Sequence, residues 1–425
     1  MSILQKKISL LFIYISISVT CLSSYILVPM DESQSNHLKA YGISYWTLEN
    51  GITIEWLLNY RGGSFLYPNL QTIQDELSIR GVKYQILTDG QVNTIRTQIG
   101  DPEVNMEITQ LEKAPKIAVY TPPGKQPWDD AVTLVLEYAE IPYEKIYDSA
   151  IVLGTLPEYD WLHLHHEDFT GQYGKFYRSY RNKPWYKKME SDFNATAKKH
   201  GFSCVHNLKK FIALKIKKYI SDGGFLFAMC SGTDSFDIAL AAHDVDIADA
   251  VFDGTPVDPN YNKKINFSNG IAFENYSIIT NPMIYEFSDI DYPSNKNPHL
   301  KTAEQDYFTL FEFSAKWDPV PTMLTQNHVG VINGFRGQTT GFNRNVLKKH
   351  VVILGEVENT PEVKYIHGNV GKGTFTFLGG HDPEDYTHKV GDPVTDLSLH
   401  PNSPGYRLIL NNVLFPAARK KDKKT

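Results

Sequence analysis

Cysteine is scarce, with three in 425 residues, so the chain is no disulfide scaffold; those carry about 8–10% cysteine. Basic charge is not in excess either. The formal net charge is −6, and the one basic cluster, Arg419-Lys420-Lys421-Asp422-Lys423-Lys424, closes the chain. Its end, 420–425, reads as a solvated basic tail. Nucleic-acid binding needs clustered Lys and Arg, so nucleic acid is not expected as a partner. Glycine and proline, 29 and 23 in number, are too few for collagen-like or low-complexity sequence. No repeat of fixed period occurs. Past the first segment no apolar run approaches the roughly 20 residues that a membrane span needs.

That first segment reads as an address. Lys6 and Lys7 precede an apolar run from Ile8 to Val19, and Cys21, Ser23 and Ser24 follow. A basic start, about a dozen apolar residues and a small-residue exit describe a secretory signal peptide over 1–24. The alternative is a retained anchor, for which the run is short. The expectation is an exported protein of the periplasm or cell envelope, beginning near Ser24 or Tyr25, with no membrane span after signal removal. Two cysteines then remain, Cys204 and Cys230, and in an oxidising compartment they are able to pair.

The mature chain divides in two. In 25–112, strand-like Tyr25–Val28, Ile52–Leu58 and Val82–Leu87 alternate with helical spacing over Ser33–Leu48, Leu70–Ile79 and Val92–Ile99. That alternation predicts an α/β region with parallel pairing, and Leu111–Pro115 reads as a connector. A second series fills 113–419. Lys116–Tyr120 is its first strand and Pro127–Tyr138 its first helix, with Asp129 and Asp130 in the opening turn. Trp161–His165 is a short strand. The helix over Leu208–Ile220 has apolar Leu208, Phe211, Ile212, Ile216, Tyr219 and Ile220 on one face and lysines on the other. Phe225–Met229 is apolar at every position, as a strand covered on both faces must be, and a helix from about Asp234 to Ala242 follows. Strand, crossover helix and strand should be parallel, with both carboxyl ends on one sheet edge. Further on, Met283–Phe287 is strand-like, Val351–Leu354, Val363–Ile366 and Thr374–Leu378 suggest a meander, and Tyr406–Leu414 a closing helix.

In open parallel sheets, sites form where strands end and side chains converge. Three such ends are polar: His163-Leu164-His165-His166-Glu167-Asp168, Cys230-Ser231-Gly232-Thr233-Asp234 and, if Thr374–Leu378 joins the same sheet, Gly379-Gly380-His381-Asp382-Pro383-Glu384-Asp385. A sharp turn at Cys230 between buried strand and helix exposes the thiol and aims helix N–H groups at it, favouring thiolate. A thiol of pKa about 8.5 is about 3% thiolate at pH 7; one unit lower gives about 24%. His381 suits the base, with Glu384 or Asp382 orienting its ring. The plainer alternative stands beside it: Cys230 as a small buried hydrophobe, and His381-Asp382-Pro383 as a turn.

Gly223-Gly224 followed by Phe225–Met229 and Cys230-Ser231-Gly232 resembles the nucleophile turn, G-x-C-x-G-x-Q, of class I glutamine amidotransferase-like proteins. His381-Asp382-Pro383-Glu384 is similar to their late H-P-E with one residue inserted. Gly371-Lys372-Gly373-Thr374 through Gly380-His381 and a final helix resemble the ThuA-like branch. The whole chain, from Tyr25-Ile26-Leu27-Val28-Pro29-Met30-Asp31 to Leu410-Asn411-Asn412-Val413-Leu414-Phe415-Pro416, resembles an exported bacterial family often labelled asparagine synthetase B. The resemblance implies a three-layer, mostly parallel α/β sheet of flavodoxin-like type with β-rich carboxyl-terminal insertions. It also implies Cys230 as nucleophile, His381 as base, Glu384 as orienter and the Ser231 N–H as oxyanion donor. Gly232, Asp234, His165, His166 and Glu167 would line the pocket. Asp234 stands where the family has Gln, and His165-His166-Glu167 replaces its glycine-rich oxyanion turn. One lost oxyanion donor costs about 3–4 kcal/mol of transition-state stabilisation, which argues against glutamine as substrate.

Three alternatives remain open. Ser231-Gly232-Thr233-Asp234-Ser235 resembles, one glycine short, the S-G-G-x-D-S pyrophosphate loop of ATP-dependent amide synthetases. Secondly, His163, His165, His166 and Asp168 suit a transition metal, in a spacing that matches no metal signature; no cofactor is otherwise expected. Finally, the rings of Phe169, Tyr173, Phe176, Tyr177, Tyr180, Trp185 and Tyr186, with Arg178, Arg181, Lys183, Lys187 and Lys188, either stack on a sugar or pin an insertion to the body. The expected partner is a small-molecule ligand or sugar, and the rival of the hydrolase is a non-catalytic envelope protein that binds a sugar or protein partner in the same crevice.

Overall fold

The computed structural model describes residues 24–124, 126–292, 306–318, 321–325, 329–335, 339–384, 391 and 393–419. The expected signal segment, apart from Ser24, and the basic tail 420–425 lie outside the described residues.

The first unit contains β1 (Ser24–Val28), α1 (His37–Glu49), β2 (Ile54–Leu58), β3 (Ser64–Pro68), α2 (Gln71–Ile79), β4 (Gln85–Thr88), α3 (Asp89–Gly100) and β5 (Glu107–Leu111). Its sheet runs β4-β1-β3-β2-β5, and every pairing is antiparallel. Parallel pairing in 25–112 is therefore corrected. Two strands that the hydrophobic pattern did not separate account for it. Gly62 and Gly63, at φ +78° and +88°, fold β3 back on β2, and a connection that short joins only antiparallel strands. β5 then pairs with β2 over residues up to Leu111, where a connector was expected. One face of this sheet (Ile26, Val28, Trp56, Phe65, Tyr67) packs with α1; Val92, Ile95 and Ile99 of α3 cover the other.

The second unit begins with β6 (Ile117–Tyr120), α4 (Ala131–Ala139), β7 (Glu144–Ile146), α5 (Asp148–Leu153) and β8 (Trp161–Leu164). Next come α6 (Tyr177–Tyr180), α7 (Pro184–Lys199), α8 (Val205–Asp222), β9 (Phe225–Met229), α9 (Ser231–Ala241), and the one-turn helices α10 (Ala250–Asp253) and α11 (Tyr261–Lys264). It closes with β10 (Tyr307–Leu310), β11 (Val331–Asn333), β12 (Phe342–Asn343), β13 (Val352–Glu356), β14 (Glu362–Val370), β15 (Gly373–Leu378) and α12 (Pro404–Leu414). The sheet order is β11-β10-β13-β14-β15-β9-β8-β6-β7, with β12 on β14. From β7 to β15 through β6, β8 and β9 every pairing is parallel; beyond β15 every pairing is antiparallel. The class is α/β, but the sheet is mixed rather than mostly parallel, because tight turns such as Gly371-Lys372 force β14 and β15 to run in opposite directions. Met283–Phe287 forms turns, not a strand.

Alternation along β8 and β9 sets the two faces. Trp161, Phe225, Phe227 and Met229 join the core of α1, α4 and α12, while Leu162, Leu164, Leu226 and Ala228 join that of α8 and α9. The first of these cores also holds Ile26 and Trp56, so the helices between the sheets serve both. Arg407 of α12, wholly buried, ties them further. Its guanidinium donates to the carbonyls of Met30, Gly62 and Thr325 and to the Tyr41 hydroxyl.

Candidate functional site

The parallel strands end together. Leu164 pairs with Ala228, and Met229 with Leu378, so the residues that follow, His165, Cys230 and Gly379 to His381, leave from one sheet edge. Cys230 has φ +48° and ψ −137° and α9 starts at the next residue. A left-handed conformation at a residue with a side chain costs about 1–3 kcal/mol and persists only where its surroundings impose it. Here they do. The Thr233 N–H and hydroxyl both donate to the Cys230 carbonyl, at 3.1 and 2.6 Å. The Gly232 N–H donates to the His165 carbonyl at 2.6 Å, and a Cβ on Gly232 would stand 2.7 Å from that same oxygen. Glycine is thus required for α9 to meet the end of β8. The Cys230 side chain is buried, with 2% exposure. The Tyr285 phenol is held well above its ordinary pKa by burial first and by charge on Cys230 second, although the residue as a whole keeps 40% of its surface exposed. Cys204 precedes α8 instead, and no disulfide joins it to Cys230.

Beside this turn three imidazoles converge. Ring centroids lie 3.9 Å apart for His165 and His166, 4.0 Å for His166 and His381, and 4.4 Å for His165 and His381. Consecutive strand residues point to opposite faces; the rings of His165 and His166 stack because β8 ends at Leu164 and the chain turns. Each outer ring is backed by a carboxylate. Asp382 contacts Nδ1 of His381. Asp130, which caps α4 by accepting from the Val132 and Thr133 N–H groups, lies 3.2 Å from Nε2 of His163 and 3.4 Å from Nδ1 of His165. Burial pushes the Asp130 carboxyl up, but the two imidazoles outweigh it and hold the group well below the ordinary range. His163 itself packs against Trp161 and Phe227, the three rings forming one cluster, with Nδ1 on the Phe227 carbonyl at 3.2 Å. It belongs to the sheet rather than to the crevice.

The carboxylates divide differently from the sequence expectation. Glu384 accepts from the Ser403 hydroxyl at 2.7 Å and lies 3.7 Å from Nδ1 of His400; Asp382 is the residue on His381. Asp168 accepts from Thr170 N–H and hydroxyl, and from the Gln172 and Gly174 N–H groups, so it organises its own loop and stands in none of the ligand clusters found among the described residues. Burial pushes Glu167 up to about 8. It meets the Tyr147 hydroxyl at 3.3 Å, and Tyr147 joins a buried Lys209–Asp148 pair in which Lys209 also donates to Tyr120. Asp234 is likewise raised, to about 7, by burial, although it accepts from the Ser235 N–H. Ser231–Ser235 is the first part of α9 and fully buried, so it forms no open phosphate loop.

Trp128, expected only as the entry of the Pro127–Tyr138 helix, precedes α4, which starts at Ala131, and matters here. The Trp128 ring lies 5.4 Å from His166, 5.4 Å from Phe176 and 5.8 Å from Trp185. It joins the aromatic segment to the histidines; that segment packs largely on itself and the body, Phe169, Tyr173 and Tyr186 being buried. Its basic residues Arg178, Arg181, Lys183, Lys187 and Lys188 are exposed.

No family model and no curated protein matches the chain. Among solved structures it is similar to "cytoplasmic protein STM3548" of Salmonella typhimurium, at 10% identity and a TM-score of 0.33, over 72% of this chain and 100% of that one. "Cytoplasmic protein STM1381" of the same organism gives 12% identity and 0.30, again over 72% and 100%. A beta-galactosidase from Bacillus circulans sp. alkalophilus gives 10% and 0.26, over 65% of this chain and 30% of that one. Likeness at this level carries no argument about this chain. Among the described residues no helix is long and apolar enough to cross a membrane.

Proposed function

We propose that the protein is an exported, amidase-like cysteine hydrolase acting on a small amide or carbohydrate-derived substrate, with a parallel half-sheet of the class I glutamine amidotransferase-like type. The observation that carries this is the left-handed Cys230 between β9 and α9, at the edge where His381 also emerges. In this mechanism His381 takes the thiol proton while Asp382, rather than Glu384, holds its ring. The thiolate adds to the carbonyl carbon, the C–N bond breaks, and the amine leaves with the proton from His381. Water then hydrolyses the thioester, releasing the acid and restoring the thiol. The Ser231 N–H is the oxyanion donor; Gly232 is not, since its N–H is engaged by His165.

The test is the rate of Cys230 alkylation against pH, in chelator-treated protein, for wild type and His381→Ala. The hydrolase reading requires an inflection below pH 7.5 that His381→Ala raises. A second reading, binding without catalysis in the same crevice, is favoured by the burial of Cys230. A thiol that reacts only above pH 8.5 in both proteins would leave that reading standing.

A further inference from the structure

We infer that His165, His166 and His381 bind one divalent transition-metal ion at the carboxyl edge of the parallel strands. The inference goes beyond the hydrolase reading and does not depend on it. One ligand nitrogen from each of the three rings lies within 4.8 Å of the others. Three nitrogens at about 2.0–2.1 Å from a tetrahedral ion are about 3.3 Å apart, so the spacing suits one ion once the stacked His165 and His166 rings rotate to converge on it. Three histidines with an open fourth position are a donor set that zinc and its neighbours accept.

The hydrogen bonding points the same way. Nε2 of His381 contacts Nε2 of His166, and that same His166 nitrogen faces the Asp129 carbonyl at 3.0 Å. One ring nitrogen carries either a hydrogen or a lone pair. If His166 Nε2 holds the hydrogen, two acceptors must share it; if it holds the lone pair, the carbonyl receives nothing. A cation held by both lone pairs replaces the contested hydrogen, and the Asp129 carbonyl, which faces the same nitrogen, then faces positive charge.

The outer shell is in place as well. Ligating histidines commonly pass their other ring nitrogen to a carboxylate, which orients the ring and raises its basicity. Asp382 does this for His381 and Asp130 for His165. Two rival groupings, Asp130 with His163 and His165, and Asp129 with His381 and Asp382, are the weaker sites. In the first, Asp130 already serves two imidazoles and a helix cap; in the second, Asp382 already lies on the His381 ring. A bound ion takes up the His381 lone pair that the hydrolase reading assigns to the thiol proton. Loaded and ion-free protein should therefore differ in Cys230 reactivity.

The experiment titrates chelator-treated full-length protein with Zn²⁺ by calorimetry and with Co²⁺ by visible absorption. One Zn²⁺ per chain is expected, with a tetrahedral Co²⁺ spectrum that Zn²⁺ displaces. His166→Ala and His165→Ala should each weaken binding at least 100-fold, and Asp382→Asn about 10–100-fold. Cys230→Ser should bind as wild type does, which separates this inference from any failure of the thiol mechanism. Circular dichroism confirms that each variant is folded; should His166→Ala not fold, Asp382→Asn carries the test. Sub-stoichiometric binding by folded wild type, or undiminished binding by folded His166→Ala or Asp382→Asn, overturns the site.

Discussion

Asp234 offers a sharp thermodynamic test because it is a carboxylic acid that the fold keeps protonated near neutrality. It lies in the first turn of α9 and is buried. Burial raises its pKa from 3.8 to about 7, and the hydrogen bonds from the Ser235 N–H and the Thr339 hydroxyl offset only part of that rise. A folded pKa above the unfolded one means that the native state holds the proton more tightly. Below pH 3.8 both states are protonated and the group is neutral for stability. Between about pH 4 and 7 the unfolded chain releases the proton while the fold retains it, so stability falls with rising pH. Above pH 7 the loss levels off. Three pKa units at 1.36 kcal/mol each amount to about 4 kcal/mol between pH 4 and 8. Asparagine has the same shape, keeps an oxygen for the Ser235 N–H and cannot ionise. Asp234→Asn should therefore match wild type within about 0.5 kcal/mol at pH 4 and exceed it by about 3–4 kcal/mol at pH 8. Urea unfolding at both pH values, followed by circular dichroism and tryptophan fluorescence, measures the difference. An equal effect at pH 4 and pH 8, or a less stable variant at pH 8, would refute the assignment.

Other substitutions probe other parts of the structure. His367 in β14 is fully enclosed, and burial lowers its pKa from 6.5 to about 3. Its contribution is intact above pH 6.5 and lost as pH falls, by about 2 kcal/mol between pH 7 and 5; His367→Gln should flatten that part of the stability profile. Arg407→Met removes the donor from three carbonyls and a phenol that join the two units. It should cost about 3–5 kcal/mol, read as a lower denaturant midpoint. Gly232→Ala forces a Cβ toward the His165 carbonyl and should cost about 1–3 kcal/mol while weakening Zn²⁺ binding, because the end of β8 must move.

The second unit was the more legible half. The apolar run Phe225–Met229 and the one-sided helix ahead of it specify a crossover, and the crossover's handed geometry brings the strand ends to one edge. From that follow the places of His165 and Cys230; His381 joins them because β15 pairs parallel with β9, which the sequence left as a condition. The first unit misled because β3 follows a glycine turn with little separating it from β2, so the hairpin read as a strand and a loop. Chemistry at the edge was only partly legible. His163 and Asp168 have the right residue type for metal ligands, yet one packs against two aromatic rings and the other caps its own loop. Asp382 and Glu384 are two residues apart, and only backbone direction decides which reaches His381. Asp130 was read as a residue of the opening helical turn; as a cap it is free to turn its second role toward His163 and His165. Trp128 was expected only as a helix entry, and nothing local announced its place beside His166.

The convergence of three imidazoles beside Cys230 is tested most directly by diffraction at the zinc edge, on crystals of the chelator-treated protein grown with and without one equivalent of Zn²⁺. The expected result is a single anomalous peak about 2.0–2.1 Å from a nitrogen of each of His165, His166 and His381, absent from the zinc-free crystal. A map with no peak there, and with the His166 and His381 rings turned away from each other in both crystals, would contradict it.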